Sequence, residues 1–373
     1  RQYMQYYTDH RERYGSKVKS SALSKYSFIN AKLRGRISKI LSDEIFDRLI
    51  KASSLDAALA VLRETSFAGL QEIYSATGDL KKAELELLKQ EIELYTNIKQ
   101  YVHQNSIAFV DALLYQFEID NLKNAIRIYF DRKIRNQPAD PNVHYILYEP
   151  IIHEIPIDII INAENFDEIA GVCLGTPYNP IIKKYYHTVE SRGSLFRMEV
   201  AFDHFYYDNL LSVINRLDRK DRNIAIRLVG VEIDLQNINW LIRLKNFYDL
   251  PLEAVLPMMV SGGFNLNKTI IGELYRAQNV TSVMQNFVKG RYPGLSTLLS
   301  SQTSDSSSRL LLVHRMLEEI MKQEIQRILS GYPFTIGIIF SYFILKRNEL
   351  KKIRTILNAK EYDIPQQRIE SMI

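Results

Sequence analysis

The stretch Asn121-Leu-Lys-Asn-Ala-Ile-Arg127 recurs in outline as Asn237-Ile-Asn-Trp-Leu-Ile-Arg243 and as Asn348-Glu-Leu-Lys-Lys-Ile-Arg354. The three asparagines are separated by 116 and 111 residues. A motif that returns at near-constant spacing is typical of internal duplication, in which each copy folds as one supersecondary unit. We therefore predict a threefold repeat of about 113 residues.

Residues upstream of the motif keep the same register. An aromatic residue followed three positions later by Leu or Ile occurs at Phe67, Tyr178 and Tyr292, with separations of 111 and 114 residues. The Asn and Arg of each motif are six residues apart, about 240° around a helix, so they do not share a face. We interpret each Asn as a partner for backbone groups and each Arg as a partner for a carbonyl or carboxylate, rather than as ligand-binding residues.

Helical periodicity dominates the rest of the chain. Over residues 79–104 the apolar side chains fall on one face between Glu and Lys, and Asp79 has the position of an N-cap. Alternation of apolar and polar residues with period two, as in a strand, is confined to short segments such as residues 155–161. The sequence therefore predicts an all-α fold built from three similar helical bundles. Further helices are expected over residues 26–41, 194–217 and 311–329.

Two stretches rich in turn-forming residues divide the chain. Residues 135–156 carry four prolines, and residues 296–308 are mostly Ser, Thr and Gln. The predicted organisation is an N-terminal extension over 1–16, a first helical repeat over 17–135, a connector over 136–156, a second repeat over 157–250, and a third repeat over 251–373 that contains the Ser-rich loop 296–308.

Composition narrows the functional class. The chain has 373 residues, of which 46% are apolar and 24% charged, as in ordinary globular proteins of two or three domains. The net charge of +5 is too small to indicate a nucleic-acid partner by itself. The longest apolar run, residues 334–345, is shorter than the roughly 20 residues of a membrane helix, so no direct membrane span is expected. A single cysteine excludes an internal disulfide and fits a reducing compartment.

No motif for catalysis or for a cofactor stands out. The seven histidines never form His-Glu-x-x-His. Cys173 lies in the apolar segment Gly171-Val-Cys-Leu-Gly175, which favours a buried, inert thiol. The segment from Gly262 to Thr269 resembles a phosphate loop, but Asn267 stands where the glycine before Lys268 is required. We expect no catalytic, cofactor-binding or metal-binding residues.

A family resemblance emerges from the two ends of the chain and the repeats together. The segments that carry it are Lys25-Tyr-Ser-Phe-Ile-Asn-Ala-Lys-Leu-Arg-Gly-Arg-Ile-Ser-Lys-Ile-Leu41, Leu345-Lys-Arg-Asn-Glu-Leu-Lys-Lys-Ile-Arg-Thr-Ile-Leu357 and Ile364-Pro-Gln-Gln-Arg-Ile369. In this order they resemble the C subunit of prokaryotic V-type rotary ATPases, which is related to the d subunit of vacuolar proton pumps. The resemblance covers about residues 17–373.

The resemblance implies a specific role. Members of the family are all-α, with three helical bundles around a pseudo-threefold axis, forming a funnel on the cytoplasmic face of the membrane rotor ring. The funnel receives the end of the central shaft. Such a protein is not an enzyme, and it couples shaft to ring during ion transport or ATP synthesis. Arg34 and Arg36 are candidate interface residues, and the expected partners are the shaft subunits and the proteolipid ring.

Two other classes remain as alternatives. A helical scaffold or nucleic-acid-associated factor would share the bundle pattern, but nucleic-acid binding predicts a concentrated basic face, and the charge is mixed. A metal-dependent helical enzyme predicts paired Asp or Glu motifs on facing helices, and no convincing spacing is present. Neither alternative explains the threefold repeat.

Overall fold

A computed structural model describes residues 22–137, 146–247, 250–276 and 306–372, together with Ser282, Val283, Gln285, Tyr292 and Leu295. No residue in these ranges forms a strand, which confirms the predicted all-α class. The predicted extension 1–16 lies outside the described residues, as do residues 296–305 of the Ser-rich loop. The α-helices of the described part are α1 Ala22–Ile37, α2 Asp43–Lys51, α3 Leu55–Leu62, α4 Gly69–Thr77, α5 Leu80–Ile98, α6 Gln104–Lys133, α7 Ile157–Asn162, α8 Phe166–Val172, α9 Tyr178–Arg192, α10 Phe196–Asn215, α11 Arg219–Phe247, α12 Leu252–Val255, α13 Lys268–Tyr275, α14 Ser306–Ser330, α15 Gly337–Glu361 and α16 Gln366–Met372.

The helix ends differ in places from the sequence-based expectation. The side chain of Asp79 accepts a hydrogen bond from the backbone N–H of Lys81 at 3.0 Å, so α5 begins where the N-cap predicted. The helix ends at Ile98, however, and a short 3-10 turn over Lys99–Tyr101 leads into α6. Apolar periodicity alone did not reveal this break because Val102, beyond the turn, is still half-buried. At the Ser-rich loop, α14 already begins at Ser306.

The six longest helices supply the main core. Helix α6 packs against α10, and α11 packs against α14. Between α5 and α15 the contact is aromatic, with the ring of Tyr95 centred 5.5 Å from that of Phe343 and 6.3 Å from that of Tyr342. One continuous apolar core, from Tyr26 to Ile344, joins these helices. Burial of this extent is the main stabilising term of the fold.

An N-terminal and a C-terminal segment of the described residues meet in a second core. Residues of α2, α3 and α4 share it with the second half of α15 and with Ile369 of α16. The ammonium group of Lys360 donates to the carbonyl oxygens of Ile50 and Ala52, both at 2.6 Å. These carbonyls lie at the C-terminal end of α2, where a helix leaves acceptors unpaired. The N-terminal and C-terminal segments are therefore packed into one body.

Helix α1 packs against α15 and is bound at the starts of α6 and α11. The hydroxyl of Tyr26 donates to Asp221 Oδ2 at 2.6 Å and lies 3.2 Å from Ser106 Oγ. Ser106 and Asp221 belong to the first turns of α6 and α11. Arg34 Nη2 donates to the carbonyl oxygen of Leu329 at 2.6 Å, in the last turn of α14. Three long helices are thus tied together at this end by one short helix.

Candidate functional site

Two of the repeated asparagines make the same pair of hydrogen bonds. Asn121 donates to the carbonyl oxygen of Leu147 and accepts from its N–H, both at 2.8 Å. Asn237 does the same with Val260, both at 2.9 Å. A carboxamide satisfies a single backbone residue in both directions, so each Asn fastens the chain that follows its helix. At both positions the Asn side chain is bonded to the backbone.

The third copy departs from this pattern. Asn348 is exposed on α15, and within the described ranges it makes no paired bonds to a later residue. The next side chain, Glu349, instead accepts from the N–H of Leu41 at 2.7 Å and from Lys346 Nζ at 2.8 Å. The backbone partner of α15 at this point therefore comes from the segment that follows α1. Here the sequence repeat does not extend to the contact.

All three repeated aromatics are buried beside a charged group. Lys346 Nζ lies 4.3 Å from the ring centre of Phe67. The hydroxyl of Tyr178 donates to Glu118 Oε1 at 2.7 Å, and that of Tyr292 donates to Glu324 Oε1 at 3.0 Å. Their side chains are almost wholly removed from solvent. The aromatics are therefore packing residues, each placed against another helix.

A threonine two residues before the aromatic fixes its backbone in two copies. Thr65 donates to the carbonyl of Leu62 at 2.7 Å and accepts from the N–H of Phe67 at 3.1 Å. Thr176 makes the same bonds to Cys173 and Tyr178, at 2.7 and 3.3 Å. The 111-residue spacing of these threonines is a signal in the sequence that the repeat motif did not include.

Two of the predicted arginines meet on one carboxylate. Arg127 Nε of α6 donates to Glu199 Oε1 at 2.7 Å, and Arg243 Nη1 of α11 lies 3.7 Å from Glu199 Oε2. Burial disfavours the charged carboxylate, yet Arg127, Lys123 and Arg243 hold the pKa of Glu199 below its ordinary value. Glu199, on α10 between the two arginines, therefore keeps its charge.

Further charges follow along the same helices. Lys123 is ion-paired with Asp203, one turn from Glu199, and Arg347 of α15 is ion-paired with Glu232 of α11. Burial raises the pKa of Asp203 and of Glu232, although the paired cations oppose this. We call the set of seven residues the charged stack: Lys123, Arg127, Glu199, Asp203, Glu232, Arg243 and Arg347.

The charged stack exposes its three arginines and hides its anions. The side chains of Arg127, Arg243 and Arg347 are 35%, 47% and 31% exposed, whereas those of Glu199 and Glu232 are 12% and 2% exposed. Each guanidinium lies beside a more deeply buried carboxylate, Glu199 for Arg127 and Arg243 and Glu232 for Arg347, which orients it. The arrangement suits recognition of an acidic surface. Arg354 is not among the groups brought to Glu199, and its carbonyl accepts from Asn358 Nδ2 at 2.7 Å.

The acidic members of the stack were missed from sequence. Glu199 and Asp203 are spaced by four residues on a helix whose other buried residues include Met198, Phe202 and Tyr206. Such a pair on the buried side of a helix indicates a partnered charge, because lone buried carboxylates are costly. Neither Glu199 nor Asp203 belongs to the repeated Asn, Arg and aromatic positions, so the repeat does not indicate them.

The two candidate interface arginines have different surroundings. Arg34 is tied internally, through Leu329 and through Asn30 Oδ1 at 3.1 Å. Arg36 is exposed and lines a cavity of about 130 Å³ together with Phe67 and Glu91. Their role at an interface stays a prediction.

The cavity beside Arg36 makes stability depend on pH. Burial raises the pKa of Glu91 from 4.5 to about 7, although Lys346 and Arg36 oppose this. The folded chain therefore holds this proton more tightly than the unfolded chain, and the free energy of unfolding falls as pH rises from about 4.5 to about 7. We expect Glu91→Gln to raise the free energy of unfolding at pH 8 by about 1–3 kcal/mol, with little change at pH 4.

Urea unfolding at several pH values measures this effect. Gln90→Glu, one residue away in the same cavity wall, is the matched control that changes charge without removing the Glu91 carboxyl. The same pH slope in wild type and Glu91→Gln would contradict the assignment.

Cys173 and the glycine-rich loop over residues 262–269, which resemble functional motifs in the sequence, have structural roles. Cys173 is buried, and burial raises the pKa of its thiol to about 12. The carboxylate of Asp234, on α11, accepts hydrogen bonds from two N–H groups of the glycine-rich loop, those of Asn265 at 2.6 Å and Leu266 at 2.9 Å. An internal carboxylate thus takes the donors that a phosphate would need. Across the described ranges no group of three or more His, Cys, Asp or Glu side chains is placed to hold a metal ion.

The chain is similar in sequence to subunits of ATP synthases. The family model described as ATP synthase (C/AC39) subunit matches residues 29–372. The C subunits of several A-type ATP synthases are similar over nearly their whole length. That of Methanosarcina barkeri is 24% identical over 363 residues, covering 96% of this chain and 95% of that protein. That of Pyrococcus furiosus is 20% identical over 353 residues, covering 93% and 90%. Of the helices described, none is both long and apolar enough to cross a bilayer.

Proposed function

The chain belongs to the ATP synthase (C/AC39) subunit family, which confirms the resemblance seen in its sequence, and we propose that it is a non-catalytic central-stalk component of a rotary ATPase. In this role it is a socket that couples the central shaft to the membrane rotor ring during ion transport or ATP synthesis. It sits peripherally on the cytoplasmic face of the membrane, with shaft subunits and ring proteolipids as its partners. The names of its relatives support membership of such a complex.

One observation carries the coupling role: the α1 end and the arginines Arg127 and Arg243 of the charged stack lie at opposite ends of the same helices. Arg127 is 21 residues beyond Ser106 on α6, and Arg243 is 22 residues beyond Asp221 on α11. At 1.5 Å per residue these spans are about 30 Å. Ser106 and Asp221 are the points at which α1 is bound. An adaptor between two partners needs two such separated faces.

The end of the molecule at which α1 is bound, here called the α1 end, is rich in basic residues. Residues 22–42 contain five basic residues and no acidic residue. Phe28 and Tyr101 are exposed, their ring centres are 4.7 Å apart, and Lys32 Nζ lies 4.8 Å from the ring centre of Tyr101. Aromatic and basic side chains together are common where proteins meet the membrane interface. We assign the α1 end to the rotor ring and the charged stack to the shaft.

Torque transfer requires that the body between these faces resist deformation. Close-packed helices have low compressibility and transmit strain. The pairs Lys123–Asp203 and Arg127–Glu199 join α6 to α10, and Arg347–Glu232 joins α15 to α11. Charge pairs of this kind have strict geometry and resist sliding of one helix on another. Arg243 of α11 also lies 3.7 Å from Glu199, so the ends of α6 and α11 are both held to α10.

We further propose the threefold organisation predicted from sequence, with repeats over 17–135, 157–250 and 251–373 around a pseudo-threefold axis. The paired bonds of Asn121 and Asn237 support it, as do the matching threonine contacts before Phe67 and Tyr178. Helix α1, which ties the starts of α6 and α11 to the end of α14, would close the narrow end of a funnel. The shaft then enters from the side of the charged stack.

The assignment of the two faces predicts separable effects. Arg243→Gln should weaken binding of the shaft about fivefold at low salt and leave ring binding unchanged, since Arg127 still neutralises Glu199. Lys32→Gln should do the converse. The difference from wild type should shrink as salt rises, because the screening length falls from about 10 Å at 0.1 M to 3 Å at 1 M.

Surface-immobilised shaft and detergent-solubilised ring, titrated separately with each variant, provide the measurement. Each variant serves as the matched control for the other. Equal weakening of both partners by either substitution would count against the assignment of faces. Unchanged binding of both variants to both partners would remove the electrostatic basis of the proposal.

A further inference from the structure

A cationic cleft opens at the α1 end of the molecule, away from Arg127 and Arg243 of the charged stack. It lies between the start of α11, the end of α14 and the loop before α15, and its volume is about 470 Å³. Lys220 and Arg227 line it from α11, Glu324 and Arg327 from α14, and Tyr332 from the loop. Arg227 is 16 residues from Arg243, or about 24 Å along α11. The cleft is therefore distinct from the part of the proposed shaft surface that contains Arg243.

Positive charge is in excess in this cleft. Glu324 Oε1 accepts from Arg227 Nη2 at 2.8 Å and from Arg327 Nη1 at 2.9 Å, so one carboxylate serves two guanidinium groups. Lys220 Nζ lies 3.4 Å from the ring centre of Tyr332, and no carboxylate among the described residues lies within 4 Å of it. Three cations and one anion leave the lining with a net charge of about +2.

One hydrogen-bond donor is also left over. The Nε–H of Arg227 is buried and has no acceptor among the described residues. A buried donor without a partner costs free energy. The guanidinium of Arg227 donates from Nη2 to Glu324 Oε1 at 2.8 Å, so the group is held in place at the cleft.

We propose that this cleft binds a small phosphorylated anion. Arg and Lys together are the usual partners of phosphate oxygens, and the volume falls within the 300–1,000 Å³ typical of small-molecule sites. The ring of Tyr332 and the side chain of Ile328 supply an apolar wall. A bound phosphate group bridges Lys220 of α11 and Arg327 of α14, and so strengthens the junction to which Arg34 is tied through Leu329.

The test is calorimetric titration of the full chain with inorganic phosphate, pyrophosphate or ATP, and with vesicles of phosphatidylcholine with or without phosphatidylglycerol. We expect pyrophosphate or ATP to bind and to raise the melting temperature. Lys220→Gln should weaken this binding at least tenfold, the loss of one charge-assisted contact. Lys220 is exposed at the first turn of its helix, where a cation is not favoured, so this variant should fold normally.

Lys322→Gln is the matched control, because Lys322 is 58% exposed on α14 and lies outside the cleft. Binding only to the anionic vesicles, lost in Lys220→Gln, would identify a lipid headgroup as the source of the phosphate. The proposal is overturned if none of the compounds or vesicles binds, or if Lys220→Gln and Lys322→Gln bind equally well. Neither result bears on shaft or ring binding, which is scored separately.

Discussion

Replacing Asp203 with Asn is expected to lower the free energy of unfolding by about 3–5 kcal/mol. The side chains of Lys123 and Asp203 are only 8% and 12% exposed, so the substitution leaves a buried ammonium group without its counter-charge. The raised pKa of Asp203, caused by burial, indicates that desolvation offsets much of the attraction within the pair. The pair itself is then near break-even, and the large effect comes from breaking only one half of it.

This reasoning makes the double variant informative. Lys123→Met with Asp203→Asn removes both charges, and we expect it to be at least about 2 kcal/mol more stable than Asp203→Asn alone. Asp120→Asn is the matched control on the same helix, α6, because Asp120 is exposed and should change stability by less than about 0.5 kcal/mol. Additive losses in the double variant would contradict the buried-charge explanation. Urea unfolding followed by circular dichroism measures all three.

Asn237→Ala is expected to lower the free energy of unfolding by about 2–5 kcal/mol. Asn237 is fully buried, and both of its hydrogen bonds go to the backbone of Val260. The methyl group of Ala can replace neither, so a buried N–H and a buried carbonyl lose their partners together. Asn121→Ala should behave similarly through Leu147.

The third repeat supplies the control for this prediction. Asn348→Ala should change stability by no more than about 0.5 kcal/mol, because Asn348 is exposed. If the sequence repeat alone decided the effect, the three Asn→Ala substitutions would lower the free energy of unfolding equally. Equal losses at all three positions, measured by urea unfolding, would therefore show that the paired backbone contacts are not what makes Asn237 important.

The sequence determined the fold class because its signals were local. The N-cap at Asp79 and the helical spacing after it specify a helix without any tertiary information. The turn at Lys99–Tyr101 could not be predicted from apolar periodicity, because buried residues continue on both sides of it. The role of Asn121 and Asn237 was predictable in kind, since buried amides must be satisfied, but the partners Leu147 and Val260 lie 26 and 23 residues away.

The site was harder to predict because its residues come from different copies. Arg127 and Arg243 stood out as repeated positions, yet their meeting on Glu199 depends on α10 lying between α6 and α11. Glu199 has no marked counterpart in the motif that defined the repeat. Arg347 and Glu232 likewise pair across 115 residues. Tertiary packing, rather than any local pattern, assembles the charged stack.

The most direct test of the account is whether one chain binds shaft and ring at once. Purified shaft and solubilised ring, mixed with the chain and analysed by size exclusion with multi-angle light scattering, give the composition of the complex. The coupling role predicts a complex that contains one copy of the chain and both partners, and no shaft–ring complex without the chain. Binding of neither partner, or of one only at the expense of the other, by a chain that is helical by circular dichroism would contradict it and favour a scaffold outside the rotary path.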